Sequence, residues 1–232
     1  MNAIVFLYKR VLERPLQGRI DAARSTKAPR IPVVLSREEV ATVLALIDGT
    51  AGLVVRLLYG SGLRITEAVR LRLLDVDFAY RQITVRSGKG NKDRVTTFPV
   101  KLAEPLKTHL RKVEVVHSQD LAEGYGEVYL PHALSRRAPN SAAELRWQYV
   151  FPAANRPVDP RGDGKVRRHH IDQSVVNKAI KRAVQQAVIR KRVSAHTFRH
   201  YAAFRIMPNH GVSCGGALAR RRRACGIIIA HL

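Results

Sequence analysis

One pair of segments in this chain has the composition of a strand pair. Gln82-Ile83-Thr84-Val85-Arg86 and Arg94-Val95-Thr96-Thr97-Phe98 are rich in β-branched residues and flank Ser87-Gly88-Lys89-Gly90-Asn91-Lys92-Asp93, which predicts a β-hairpin with a long glycine-rich turn. Pro99 stops it, because proline cannot donate to a ladder. The segments around the hairpin are spaced as helices. Ser36-Arg37-Glu38-Glu39 reads as a capping box ahead of Val40, Val43, Leu44 and Ile47, predicting a helix to about Asp48. A second apolar segment, residues 53–59, ends at Gly60-Ser61-Gly62. Thr66 is positioned to cap a short helix holding Glu67, Val69 and Leu71. Residues 102–116 read as helical, 118–140 as an irregular surface excursion, and 146–152 as a short strand or buried segment followed by a turn-rich basic stretch over 155–170. Asp172 is placed to cap an amphipathic helix with Val175, Val176, Ala179, Ile180, Ala183, Val184, Ala187 and Val188 inward and Lys178, Lys181 and Arg182 outward. Residues 196–207 predict a last helix.

The chain has 232 residues, 46% of them hydrophobic, enough for a packed core. Its 41 Lys and Arg stand against 18 Asp and Glu, a formal charge of +23. Such an excess points to a polyanionic partner, because binding phosphates releases condensed counterions; the plain alternative is a basic surface kept for solubility or a ribosomal-type structural role. No apolar run approaches the roughly 20 residues that span a bilayer, so no membrane partner is expected. Two cysteines, Cys214 and Cys225, offer no disulfide framework, and the expected location is a reducing cytoplasm. Residues 1–24 read as the end of a helix from a preceding domain, and 25–34, with Pro29 and Pro32, as a linker.

Transfer at a phosphodiester needs positive charge aimed at oxygens that gain negative charge in the transition state, and arginine presents a planar fork of donors to them. Arg64, just after the Gly60-Ser61-Gly62 turn, and Arg199 suit this role. His196 and Arg199 lie three residues apart, on one face of a helix, so an imidazole and a guanidinium can approach one phosphate. Lys89, between two glycines, is free to swing towards a leaving oxygen and donate a proton. Taken singly, each has an ordinary reading: a surface arginine, a solvated turn, a chance spacing.

Together, Gly60-Ser61-Gly62-Leu63-Arg64-Ile65-Thr66-Glu67, Gly88-Lys89-Gly90-Asn91-Lys92-Asp93-Arg94 and His196-Thr197-Phe198-Arg199-His200 resemble the tyrosine recombinases. More narrowly, Leu130-Pro131-His132-Ala133-Leu134, Trp147-Gln148-Tyr149-Val150-Phe151-Pro152, Asp159-Pro160-Arg161 and Val166-Arg167-Arg168-His169-His170 look like an integron integrase. The resemblance implies a mainly α domain with a small β-hairpin or sheet (α+β), over residues 35–203, with an insertion at about 118–170. It implies DNA cleavage and rejoining through a 3′-phosphotyrosyl intermediate with no cofactor and no metal. Arg64 and Arg199 would hold the scissile phosphate, Lys89 would be the general acid, and His196 would assist proton transfer or position the phosphate. The partner would be DNA, including folded single-stranded recombination sites, in a bacterial cytoplasm and associated with the nucleoid when bound. In the insertion, Trp147 and Pro160 would stack on extrahelical bases, with Arg167, Arg168, His169 and His170 as further DNA contacts; from the residues alone, Trp147 is equally a core tryptophan.

The resemblance stops after about Ala203. The position of the family's tyrosine nucleophile falls at His231 and that of its second histidine at Arg222, within Arg220-Arg221-Arg222-Arg223. Tyr201, two residues past Arg199, is poorly placed for in-line attack. The expectation is a domain incomplete at its C-terminal end, with residues 204–232 an unmatched tail of the kind a frameshift leaves, and DNA binding without turnover. The competing readings are a non-catalytic module that binds recombination sites, self-associates or joins an intact integrase, and a decayed gene product. A zinc site built from Cys214, Cys225, His210 and His231 matches no tight ligand spacing.

Overall fold

The structure, a computed structural model, describes residues 5–14, 33–86, 93–130, 132–158 and 164–205. Lys89, Pro160 and the tail beyond residue 205 lie outside them, as do most of the expected linker and the four candidate zinc ligands. The chain divides into two compact units, residues 1–32 and 33–232. In the first, Leu7–Val11 forms a short turn with π-type hydrogen bonding, the Leu12 N–H donating to the Leu7 carbonyl at 2.9 Å.

The second unit is mostly helical with one small sheet. Helix α1 (Arg37–Ala45) starts at the expected capping box: the Glu39 N–H donates to Ser36 Oγ at 3.1 Å, and the Ser36 N–H to Glu39 Oε2 at 2.7 Å. Helix α2 (Gly49–Ser61) is apolar on most of its circumference, so it must be covered on most sides. Val54, Val55, Leu57 and Leu58 are fully buried, each contributing about 1.5–3 kcal/mol of transfer free energy. Helices α6 (Gln173–Gln186) and α7 (Ala195–Arg205), the long α4 (Ala103–Ala122) and α1 all pack on it.

Gly62 closes α2 with φ +65°, its N–H donating to the Leu58 carbonyl at 3.0 Å, a left-handed cap that suits glycine. Leu63 then enters the core and is fully buried. Arg64 follows in extended geometry and starts the short helix α3 (Ile65–Val69). The cap is therefore Arg64 and not Thr66, which lies inside the helix. Glu67, at the third helical position, reaches back to accept from the Arg64 N–H at 2.8 Å, the return half of a capping box.

The sheet is antiparallel in the order β1-β2-β3. Strands β2 (Gln82–Val85) and β3 (Arg94–Thr97) form the expected hairpin, with Val85 opposite Arg94 and Gln82 opposite Thr97. A two-residue strand β1 (Val76–Asp77), not anticipated, pairs with β2. Thr96 Oγ1 donates to the Ser61 carbonyl at 2.9 Å, tying β3 to the end of α2.

Three local expectations need correction. Helix α4 does not end near residue 116: it runs to Ala122, because Asp120 on its last turn is buried and held by Arg168 and Arg156. The excursion is consequently shorter and contains the helix α5 (His132–Arg137). Residues 149–151 are buried, one of the two forms expected there, with Tyr149 bridged to Arg72 after a tight turn at Leu145–Trp147. In α6, capped by Asp172 accepting from the Ser174 N–H at 2.7 Å, Val176, Ile180, Ala183 and Val184 face inward while Val175 does not. Val188 lies past the helix end at φ +54° and is 81% exposed.

Candidate functional site

Three guanidinium groups from three separate elements close on one carboxylate. Glu67 sits on α3 with its side chain only 8% exposed. Arg64 Nη1 donates to Glu67 Oε1 at 2.6 Å. Arg94, the first residue of β3, forks onto both oxygens at 2.8 and 2.7 Å. From α7, Arg199 Nη1 lies 3.6 Å from Glu67 Oε2. Burial alone would raise the Glu67 pKa, but hydrogen bonds from Arg94, from the Arg64 N–H and from the Arg64 side chain outweigh it and hold the carboxyl at about 2. The carboxylate is therefore charged throughout the physiological range.

The sequence predicts Arg64 and Arg199 as a pair, and they approach the same carboxylate from opposite elements. Each is aimed by a buried neighbour: Leu63 beside Arg64, and Phe198, fully buried, beside Arg199. Three positive charges against one negative leave a local excess of two, with the side chains of Arg64 and Arg94 about one-third exposed and that of Arg199 one-quarter. Such a cluster can accept a phosphate, whose oxygens match the forked donors. His196 is exposed on the first turn of α7, its ring edge-on to that of His200 with centroids 4.7 Å apart. Burial, then the charges of His196 and Arg199, lowers the pKa of His200. Among the described residues, no group of His, Cys, Asp or Glu side chains could hold a metal ion.

The residues singled out in the insertion gather elsewhere. Trp147 is partly buried against Val128, Leu130 and Tyr149, and its ring N–H is buried with no hydrogen-bond acceptor among the described residues. Arg72, itself buried, lies over the rings of Tyr149 and Trp147 at 4.8 and 5.8 Å and donates to the carbonyls of Trp147 at 2.5 Å and Tyr129 at 2.6 Å. His169 and His170 pack on Tyr149, each with ring centroids 5.3 Å away. Arg168 is committed within the protein, to Asp120 at 2.5 and 2.7 Å and to the carbonyls of Ala153 and Ala154. Arg167 lies 3.8 Å from Glu127.

Sequence reading missed Arg94 and Glu67 as members of the cluster, and Arg72 and Asp120 as the fasteners of the insertion.

The phage integrase family pattern matches residues 34–215. An integrase/recombinase of Escherichia coli is 40% identical over 200 residues, which are 86% of this chain and 59% of that protein. Tyrosine recombinase XerA of Thermococcus onnurineus is 45% identical over 91 residues, 38% of this chain and 32% of that protein. Among solved structures, the Tn1549 transposon integrase in complex with transposon right end DNA superposes with a TM-score of 0.54 at 14% identity, covering 86% of this chain and 62% of that one. The helical body and small antiparallel sheet are thus those of a tyrosine recombinase catalytic domain. The chain belongs to the phage integrase family, and it spans 59% of the length of the Escherichia coli relative. No helix among the described residues is long and apolar enough to cross a membrane.

Proposed function

We propose that this chain is a site-specific recombinase of integron-integrase type by descent, that it binds recombination-site DNA, and that it does not turn it over. The observation that carries the reading is the convergence of Arg64 and Arg199 with Arg94 on Glu67, which supports a seat for one backbone phosphate. In this reading residues 35–203 are the catalytic domain, Arg64 and Arg199 clasp the scissile phosphate, Lys89 protonates the leaving oxygen and His196 attends the same phosphate. The insertion at about 118–170 receives extrahelical bases of folded single-stranded sites, with Trp147, Pro160, His169 and His170 as their contacts and Arg167 and Arg168 beside them.

The reading of no turnover is supported by the position of Tyr201, two residues past Arg199. Its ring stacks on Tyr59 of α2 with centroids 5.3 Å apart, which supports a packing role at the α2–α7 contact in preference to attack. The remaining role is that of a DNA-binding module, alone, self-associated or beside an intact integrase. Filter binding over a salt series tests the first part: log affinity is expected to fall linearly with log salt, and a flat response would refute it. Incubation with a nicked suicide substrate tests the second: no covalent protein–DNA adduct is expected, and a trapped adduct would overturn it.

A further inference from the structure

We propose that Arg94 is a positioning residue: by gripping both oxygens of Glu67 in its own fork, it lets that carboxylate fix the direction of Arg64 and Arg199 while the cluster keeps a net positive charge. The inference rests on the phosphate-binding reading above and adds a residue to it.

The geometry separates Arg94 from the other two. Its contacts with Glu67 are paired, at 2.8 and 2.7 Å, the bidentate arrangement in which a guanidinium and a carboxylate satisfy each other most fully. Arg64 meets the carboxylate through one nitrogen at 2.6 Å, and its backbone N–H supplies a second bond at 2.8 Å. Arg199 stands at 3.6 Å, within Coulombic reach but beyond a hydrogen bond. The carboxylate is thus saturated chiefly by Arg94, and it acts on Arg64 and Arg199 as an aiming charge. The low pKa of Glu67, with the Arg94 hydrogen bond as its leading stabilising cause, agrees with this division.

Charge arithmetic gives the consequence. The cluster of Arg64, Arg94, Arg199 and Glu67 carries a net +2. Without Arg94 it carries +1, and a carboxylate that is only 8% exposed must find its bonds in Arg64 and Arg199, drawing them away from a ligand. Without both Arg94 and Glu67 the net charge is again +2, and the two remaining guanidiniums no longer answer to that carboxylate. The cost of losing Arg94 is therefore conditional on Glu67, which a direct phosphate contact is not.

The test is a double-mutant cycle on binding of a short labelled duplex, followed by fluorescence anisotropy at fixed salt, using the full chain, Arg94→Ala, Glu67→Gln and the double variant. Arg94→Ala is expected to weaken binding about ten-fold alone and less than about two-fold in the Glu67→Gln background. An equal loss in both backgrounds, or no loss in either, overturns the inference. If Arg94→Ala does not fold, Arg94→Lys takes its place; it keeps the charge but meets one oxygen, and its smaller loss must likewise vanish with Glu67→Gln. A carbon NMR titration of the Glu67 carboxyl reads the same point without DNA: its pKa rises on Arg94→Lys, and an unmoved titration overturns the inference. Failure of the unaltered chain to bind the duplex instead brings down the recombinase reading, a result distinct from binding without coupling.

Discussion

Protonating Glu67 should dismantle the cluster, and the size and pH range of the effect follow from its surroundings. The carboxyl moves from an ordinary value of 4.5 to about 2 in the folded chain, which corresponds to about 3 kcal/mol of stabilisation when fully expressed. Arg64 and Arg94 are about one-third exposed, so solvent screening reduces this to about 2 kcal/mol. Because the folded value is the lower one, the stabilisation is complete above pH 4.5 and drains away as the pH falls towards 2. Urea denaturation of the full chain and of Glu67→Gln, compared from about pH 7 to about pH 3, isolates this group because the other carboxylates cancel in the difference. The variant should be less stable by about 2 kcal/mol near neutrality, with the gap shrinking to less than half near pH 3. A gap that stays constant or widens with acidification would refute the assignment of the charge to Glu67.

Three further outcomes follow from the packing. A Cβ at Gly60 would lie 2.2 Å from Pro99 Cγ; Gly60→Ala should therefore lower stability by about 1–3 kcal/mol in urea denaturation, and a neutral result would show that the α2–β3 junction is looser than described. Asp120→Asn weakens a carboxylate that is buried and shared by Arg168 and Arg156, with an expected loss of about 3 kcal/mol read as a lowered melting temperature. Arg72→Met removes donors from the carbonyls of Trp147 and Tyr129; because Trp147 is the sole tryptophan, its emission should shift to the red as the ring becomes wetter, while an unchanged spectrum would mean that Arg72 does not hold it.

What could be read from the sequence divides by range. The Ser36–Glu39 box, the Asp172 cap and the hairpin are written within a few residues of one another, and each was legible. The cap of α3 was misassigned because the obvious hydroxyl, Thr66, lost to a longer reach by Glu67 to the backbone N–H of Arg64. The length of α4 was hidden because its last turn is fixed by Arg168, 48 positions along the chain. Val188 looked like the end of an apolar stripe, but α6 closes at Gln186 before reaching it. Arg64 and Arg199 could be paired from their motifs, whereas Glu67 as their shared anion and Arg94 as its principal partner emerge only when β3, α3 and α7 are brought together. Arg72 was unreadable for the same reason: its acceptors are 57 and 75 positions away.

Whether Arg64 and Arg199 serve one phosphate is decided most directly by the salt dependence of duplex binding for the full chain, Arg64→Ala, Arg199→Ala and the double variant. Each phosphate neutralised contributes about 0.9 to the slope of log affinity against log salt. Two guanidiniums on a shared phosphate predict that either single variant weakens binding with little change in slope, and that the double variant loses about 0.9. A loss of about 0.9 from each single variant and about 1.8 from the double would place the two arginines on different phosphates and contradict the account.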